Sequence, residues 1–225
     1  MADEKSPAPM LQLALNELIK LPLGVFNSKI QSEIRDDNLD PLVNVFSDSI
    51  DAYGVTASYS LRNLRGLSSA EIKEIVISEL RASTDLKQFS GTLTMVAQLA
   101  NPLTADIKGS VKAPFVTGAD YTGDATWGEI KLTTSGHVEA SKNEDGYICI
   151  DDIKLSAITP DIGPIVVHID GLGDYSSDLL TPLEEAIKKE LERLIPGLMS
   201  VQISKIISDA INSQLPMCTP IKSPF

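Results

Sequence analysis

The sequence predicts an α+β fold in which a strongly curved antiparallel sheet wraps an N-terminal helix and a long C-terminal helix. Three observations carry that expectation. Apolar residues recur at helical spacing at both ends of the chain, the period changes to two between them, and the turns within that middle stretch are short. Each helix offers one apolar stripe and the sheet one apolar face, so the economical packing closes the sheet over both helices.

The C-terminal helix is the clearest element. Leu183, Ala186/Ile187, Leu191, Leu194/Ile195, Leu198/Met199, Ile203, Ile206/Ile207, Ala210/Ile211 and Leu215 put one or two apolar side chains on every turn of one face. Thr181, Pro182 and Glu184 read as its start, a Thr-x-x-Glu capping box with proline at the first helical position. From Thr181 to about Leu215 it would span about 50 Å. Pro196-Gly197 interrupts it and predicts a kink rather than a straight rod.

At the other end, Leu11, Leu15, Leu18, Val25, Ile30 and Ile34 form a second helical stripe over Pro9 to Ile34, bent or broken near Pro22. Residues 1–8 read as a disordered leader, 9–215 as one domain and 216–225 as a tail. Pro41 to Ile50 fits either a helical turn or the beginning of a strand.

Between Gly54 and Leu172 the alternation is that of strands with one buried face. Val55, Ala57, Tyr59 and Leu61 alternate with polar neighbours; Ile75 and Ile77 continue weakly; Phe89 to Leu99 restates the pattern, as do Ile107, Val111, Ala113 and Phe115. The run Ile130, Leu132, Thr134, Gly136, Val138, Ala140 is the cleanest. Asn143-Glu144-Asp145-Gly146 predicts a hairpin turn, the alternation slips by one at Asp151-Asp152 and predicts a bulge, and Ile165, Val167 and Ile169 form the last strand. Gly91, Gly109, Gly128 and Gly136 stand where strands could bend.

The chain has 225 residues, 43% of them hydrophobic, with no composition shift marking a linker. A formal charge of −12 opposes nucleic-acid phosphates and anionic lipid, so no nucleic-acid partner is expected. No run approaches the roughly 18 consecutive apolar residues of a membrane span. A membrane-surface helix would carry a lysine- and arginine-rich polar face, whereas here Glu184, Glu185, Lys188, Lys189, Glu192 and Arg193 give way to Ser200, Gln202, Ser204 and Ser208. The polar stretch Met1 to Pro9 has no signal core, which fits either a cytosolic protein or a mature secreted chain with an added start Met; no Asn-x-Ser/Thr sequon supports secretion independently.

No catalytic constellation stands out. His137 and His168 are the only histidines, each on a polar strand face outside any metal-binding motif. Gly171-Leu172-Gly173-Asp174-Tyr175-Ser176 faintly echoes a dinucleotide loop but lacks the third glycine. Asp36, Asn38 and Asp40 have calcium-loop spacing, yet Pro41 stands where that loop requires glycine. No cofactor and no metal are expected. Inward-facing adaptable or aromatic residues are Tyr59, Phe89, Met95, Phe115, Trp127, Leu198, Met199 and Ile203; they suit a packed core and a ligand tunnel equally, and Trp127 lies between glycine-rich turns at Gly123 and Gly128. Cys149 and Cys218 would, if bridged, close a loop of about 70 residues worth about 4 kcal/mol; unbridged they are one buried thiol and one in a tail.

Leu39-Asp40-Pro41 after the first helix, Asn63-Leu64-Arg65-Gly66-Leu67-Ser68 after the first strand and Glu144-Asp145-Gly146-Tyr147 before a late strand, with the order helix, meander, long helix, give the chain a resemblance to a known family. It resembles the tubular lipid-binding (TULIP) superfamily, in the arthropod branch of Takeout proteins, juvenile-hormone-binding proteins and group-seven mite allergens. The resemblance covers nearly the whole chain and implies a TULIP-like super-roll, an apolar tunnel between sheet and long helix, and a bridge between Cys149 and Cys218. It departs from the Takeout and hormone-binding pattern in lacking an N-terminal cysteine pair, and its acidity sets it apart from the basic bactericidal members. It implies a secreted, non-enzymatic carrier of a small hydrophobic ligand (terpenoid, fatty acid or pigment-like), monomeric or weakly dimeric, with the eight inward residues above lining the tunnel. The alternative is the same fold with a collapsed tunnel, acting as a protein-interaction or surface-active protein.

Overall fold

The computed structural model describes residues 8–52, 55–113, 116–172 and 177–219. The N-terminal stripe forms two helices, α1 (Ala8–Lys20) and α2 (Leu23–Asp36), parted at Leu21-Pro22. The break falls where proline cannot continue the preceding ladder. Leu11, Leu15, Leu18, Ile30 and Ile34 are buried, whereas Val25 faces outward; the α2 side chain that replaces it in the core is Phe26.

The ambiguous segment after α2 is a strand, β1 (Leu42–Ala52), followed by β2 (Val55–Arg65), β3 (Ala70–Ala82), β4 (Gln88–Leu99), β5 (Thr104–Ala113), β6 (Val116–Trp127), β7 (Ile130–Lys142), β8 (Ile148–Leu155), β9 (Thr159–Ile162) and β10 (Ile165–Asp170). All pairs are antiparallel. Five strands follow the order β1-β2-β5-β6-β10, and six the order β11-β8-β7-β4-β3 with β9 beside β7, where β11 is Met217–Cys218, inside the stretch expected as a tail. Successive hairpins therefore alternate between two parts of a strongly curved ladder. The chain crosses at Gly66 to Ser69, at 100–103, at Gly128-Glu129 and at Gly163-Pro164. There Ala100 N donates to Ser69 O, Gly128 N to Pro164 O and Gly163 N to Glu129 O.

The weak alternation near Ile75 and Ile77 has a structural cause. In β3 the register against β4 shifts twice, so Ala70, Ile72, Ile75, Ile77 and Leu80 are the buried residues instead of a strict every-other set. Asp151 bulges as expected, Glu139 facing Asp152 and Ala140 facing Ile150. At the Asn143 turn, Gly146 takes φ 89° and Tyr147 N donates to Asn143 Oδ1 at 2.9 Å.

Helix α3 (Ser177–Leu198) begins one turn before the expected cap at Thr181 and carries Pro182 inside it. Leu180, three residues ahead of Leu183, packs against the core and draws the extra turn into the helix. At Pro196-Gly197 the helix runs on through Pro196 and then widens into a π turn (Met199–Ile203) before α4 (Ser204–Asn212). Ser200 Oγ donates back to Pro196 O at 2.7 Å, at the point where the ladder changes. Leu183, Ile187, Leu191, Ile195 and Met199 are spaced by four, a stripe that drifts about 40° per step on an α-helix of 3.6 residues per turn. The wider turn rewinds that drift, so Ile203, Ile207 and Ile211 stay inward. The helix stops at Asn212, and Leu215 packs on the core from beyond its end.

The run Leu180–Asn212 is long and apolar enough, by length and composition, to cross a membrane. It reaches that measure because its polar face after Arg193 is mostly uncharged serine and glutamine. Here the apolar stripe packs on the sheets, α3 against β10 and α4 against β8 and α2, while α1 and α2 lie along β3.

Candidate ligand-binding interior

The inward residues of β2, β4, β6 and β7, the two N-terminal helical stripes and the C-terminal stripe form one continuous buried apolar core. Among the described residues, the buried polar ones are Ser69 and Thr134, and both hydroxyls are engaged: Ser69 Oγ donates to Gly66 O at 2.6 Å and Thr134 Oγ1 to Ser156 O at 2.9 Å. The interior walls thus offer hydrocarbon and aromatic surface, with the Ser69 and Thr134 hydroxyls already bonded.

Of the residues expected to line a tunnel, Tyr59, Phe89, Met95, Trp127, Met199 and Ile203 are buried in this core, Leu198 is half-buried against it, and Phe115 lies outside the described residues. They occupy three walls. Tyr59 and Trp127 stand on the five-stranded part, Phe89 and Met95 on β4 of the six-stranded part, and Leu198, Met199 and Ile203 in and beside the π turn. Trp127 does not sit between turns, as its glycine neighbours suggested. It is the last residue of β6, and Gly123 is a strand position where a Cβ would collide with the His168 carbonyl. Strand β6 is hidden in the sequence because its inward positions include Gly123 and Ala125, too small to register as an apolar alternation.

Two surface recesses open next to this interior. One, of about 540 Å³, is lined by Asp48, Tyr59, Lys108, Gly109, Asp120 and Tyr121 among others. Tyr121 was not singled out from sequence. Its ring lies over Gly109, where a side chain would collide with it, and its hydroxyl donates to Ser58 O at 3.1 Å. Burial pushes the Tyr59 phenol up to about 12, helped by the Asp48 and Glu190 carboxylates and opposed by Arg193; burial, with Tyr59 nearby, does the same for Tyr121. Phe46 meets Tyr59 edge-on at 5.7 Å. The other recess, of about 430 Å³, is lined by Arg81, Phe89, Glu139, Ala140 and Asp151 among others.

The motifs that carried the family resemblance meet in space. The Asp40 carboxylate accepts from Gly66 N at 3.1 Å and Ser68 N at 2.6 Å, joining Leu39-Asp40-Pro41 to the Asn63 to Ser68 stretch at the first sheet crossing. Asp40 therefore serves as a backbone clasp at this crossing. Cys149 and Cys218 are bridged across the paired strands β8 and β11. His137 and His168 are exposed, beside Glu139 and Asp170 respectively. Among the described residues, no group of three or more His, Cys, Asp or Glu could hold a metal ion. The loop 173–176 lies outside the described residues.

In element order, and in closing a curved antiparallel ladder over long apolar helices, the architecture is the α+β one that the sequence predicts. Solved structures resemble it. To the crystal structure of lipopolysaccharide binding protein the chain is similar at 16% identity and a TM-score of 0.45, over 91% of this chain and 39% of that one. To Takeout 1 of Epiphyas postvittana it is similar at 14% identity and a TM-score of 0.32, over 90% of this chain and 92% of that one. The chain spans 39% of the length of the former protein. No family model and no curated protein matches the sequence.

Proposed function

We propose that the protein is a non-enzymatic carrier of a small hydrophobic molecule, terpenoid, fatty acid or pigment-like, held between the curved sheet and the C-terminal helix. The observation that supports this most is the interior itself. The helical stripe is buried from Leu183 to Ile211 against walls drawn from both parts of the sheet, and those walls present apolar surface with their few hydroxyls already bonded. Ligand surface buried there is worth about 25 cal/mol per Å². Tyr59, Phe89, Met95, Phe115, Trp127, Leu198, Met199 and Ile203 are the proposed lining, the methionines serving as flexible, polarisable contacts. In this reading residues 9–215 act as one domain, monomeric or weakly dimeric, without a cofactor. The bridge between Cys149 and Cys218 favours an extracellular setting, since disulfides persist in oxidising compartments.

Native mass spectrometry of protein purified without detergent, followed by denaturing extraction, tests this. A discrete extractable mass, or saturable binding of an apolar fluorophore by the bare chain, is the expected result; neither appearing refutes the carrier. One observation favours a second reading, a protein-interaction or surface-active role with a collapsed tunnel. Met10 and Leu13, one turn apart on α1, Leu21 in the break between the helices and Val25 on α2 are exposed apolar side chains.

A further inference from the structure

Two irregular strands deliver opposite charges to the recess of about 430 Å³ on the six-stranded part of the sheet. In β3 the pairing jumps from Ser78 opposite Thr92 to Arg81 opposite Ser90, and Glu79 within the jump takes φ 50°. In β8 it jumps from Asp152 opposite Glu139 to Ile150 opposite Ala140, which leaves Asp151 as the extra residue. Had the ladder continued unbroken from Ser78 and from Asp152, Arg81 would stand opposite Phe89 and Asp151 opposite Ala140. Those two are themselves register partners, 6% and 4% exposed, so both charges would point into the core. Each bulge instead turns its charged side chain to the exposed face, while Leu80 and Ile150 take the inward places. At Glu79 this is done through a left-handed backbone that a long side chain seldom adopts.

Both charges reach the recess unpaired. Neither Arg81 nor Asp151 has a hydrogen bond or ion pair among the described residues. The neighbouring charges are engaged with one another: Glu139 is shared by His137 Nε2 at 3.8 Å and Lys154 Nζ at 3.9 Å, and Lys154 also holds Asp152 at 3.0 Å. Between Arg81 and Asp151 the lining includes Gln88, Ser90 and Ser141, whose side chains likewise make no hydrogen bond among the described residues. In the other recess the hydroxyls are spent on the sheet, Ser58 Oγ donating to Ser110 O at 3.3 Å and Ser60 Oγ to Lys108 O at 3.2 Å. Strands stand about 4.8 Å apart, so Arg81 on β3 and Asp151 on β8, three spacings away, are about 14 Å apart across the ladder before their side chains lean in. A simple ion of either sign meets one of them and faces the repulsion of the other. An extended tripeptide, at about 3.5 Å per residue, spans about 10 Å and carries one charge at each end.

We propose that this recess is a binding site for a small zwitterion of tripeptide size, with its carboxylate on the Arg81 guanidinium, its ammonium on the Asp151 carboxylate, and its amides on Gln88, Ser90 and Ser141. The guanidinium fork matches a carboxylate with two parallel hydrogen bonds. Each ion pair is exposed and weak alone, so recognition depends on both ends being met at once. The site lies on the exposed face of the sheet and is independent of the apolar interior and of the carrier reading.

The test titrates the full chain with triglycine and follows the backbone amide signals by two-dimensional NMR. Triglycine is expected to move the signals of Ser90, Ala140 and Ser141 saturably at neutral pH. Triglycine amide, which lacks the carboxylate, and N-acetyltriglycine, which lacks the ammonium, should each bind about fivefold more weakly. Arg81→Gln should weaken triglycine about fivefold and leave triglycine amide unchanged; Asp151→Asn should weaken triglycine by as much and leave N-acetyltriglycine unchanged. Both side chains are exposed, and an unperturbed spectrum away from the recess shows that each variant is folded. No saturable shift with triglycine on the parent protein overturns the site without any variant being needed. Equal binding of the blocked peptides, or a loss on Arg81→Gln that is the same for triglycine and its amide, overturns the assigned roles. The carrier reading survives each of these results, because none of them touches the interior.

Discussion

The free edge of β3 gives the sharpest prediction about what holds this fold together. β3 ends the six-stranded part of the sheet, and an uncovered edge strand leaves a row of backbone donors and acceptors open to other chains. Helices α1 and α2 lie along it, and one asparagine from each completes its hydrogen bonding. Asn16 accepts from Ile77 N at 2.6 Å and donates to Ile77 O at 2.9 Å; Asn27 accepts from Ile72 N at 2.7 Å and donates to Ile72 O at 3.3 Å. Each side-chain amide thus copies one peptide unit of a missing neighbour strand. Replacing either by alanine leaves two part-buried backbone groups unpaired. At about 1 kcal/mol per bond, Asn16→Ala and Asn27→Ala should each cost about 2 kcal/mol. For a chain of this size that lowers Tm by about 4–8 °C. The two sites share no partner, so the double variant should lose about 4 kcal/mol, additive to about 0.5 kcal/mol. Urea unfolding followed by circular dichroism measures all three, with Glu17→Ala as a neighbour whose exposed pairing with Lys20 is worth under about 1 kcal/mol. If either single variant falls within about 0.5 kcal/mol of the parent, the clasp is only geometry and the reasoning fails.

Three further outcomes are expected. Asp40→Ala removes the acceptor for Gly66 N and Ser68 N and should cost about 2–4 kcal/mol in the same urea assay, with Asp40→Asn recovering part of it. Reducing the bridge between Cys149 and Cys218, which spans 69 residues of sequence, should cost about 4 kcal/mol in the chain-entropy description and expose β11 to proteolysis; an unchanged melt with reductant would count against it. For Tyr59 and Tyr121 the folded pKa of about 12 lies above the unfolded value of 10, so the protonated phenols contribute stability that is complete below about pH 10 and is lost as pH rises toward about 12. Tyr59→Phe should flatten that alkaline limb of the urea midpoint relative to the parent, and an identical limb would show that burial of the phenol does not matter.

How much of the interior was legible follows from residue size and period. Phe89, Met95, Met199 and Ile203 announce themselves because large apolar side chains recur at the spacing of their own element. Tyr121 and the strand that carries it were not read, since Gly123 and Ala125 erase the alternation of β6. Trp127 was visible as an inward aromatic, but not that its buried indole Nε1 finds no hydrogen-bond partner among the described residues. Whether a buried donor finds an acceptor depends on side chains from β5 and β10 that are distant in sequence. The same holds for Asn16, Asn27 and Asp40, whose backbone partners Ile77, Ile72, Gly66 and Ser68 are 26 or more positions away in sequence.

The sequence by itself determined the elements: two helical ends, a run of strands each with one buried face, the Asn143 turn, the Asp151 bulge and the break at Pro22. These are set by interactions within a few residues, and their periods of 3.6 and 2 are written directly in the order of side chains. Only the tertiary structure decided that alternate hairpins join different parts of the sheet, that β2 pairs with β5 instead of β3, and that a π turn rewinds the long helical stripe. An alternating strand specifies which face is buried but not whose edge it joins, and because the entropy of closing a loop rises only slowly with its length, nothing local favours the nearer partner.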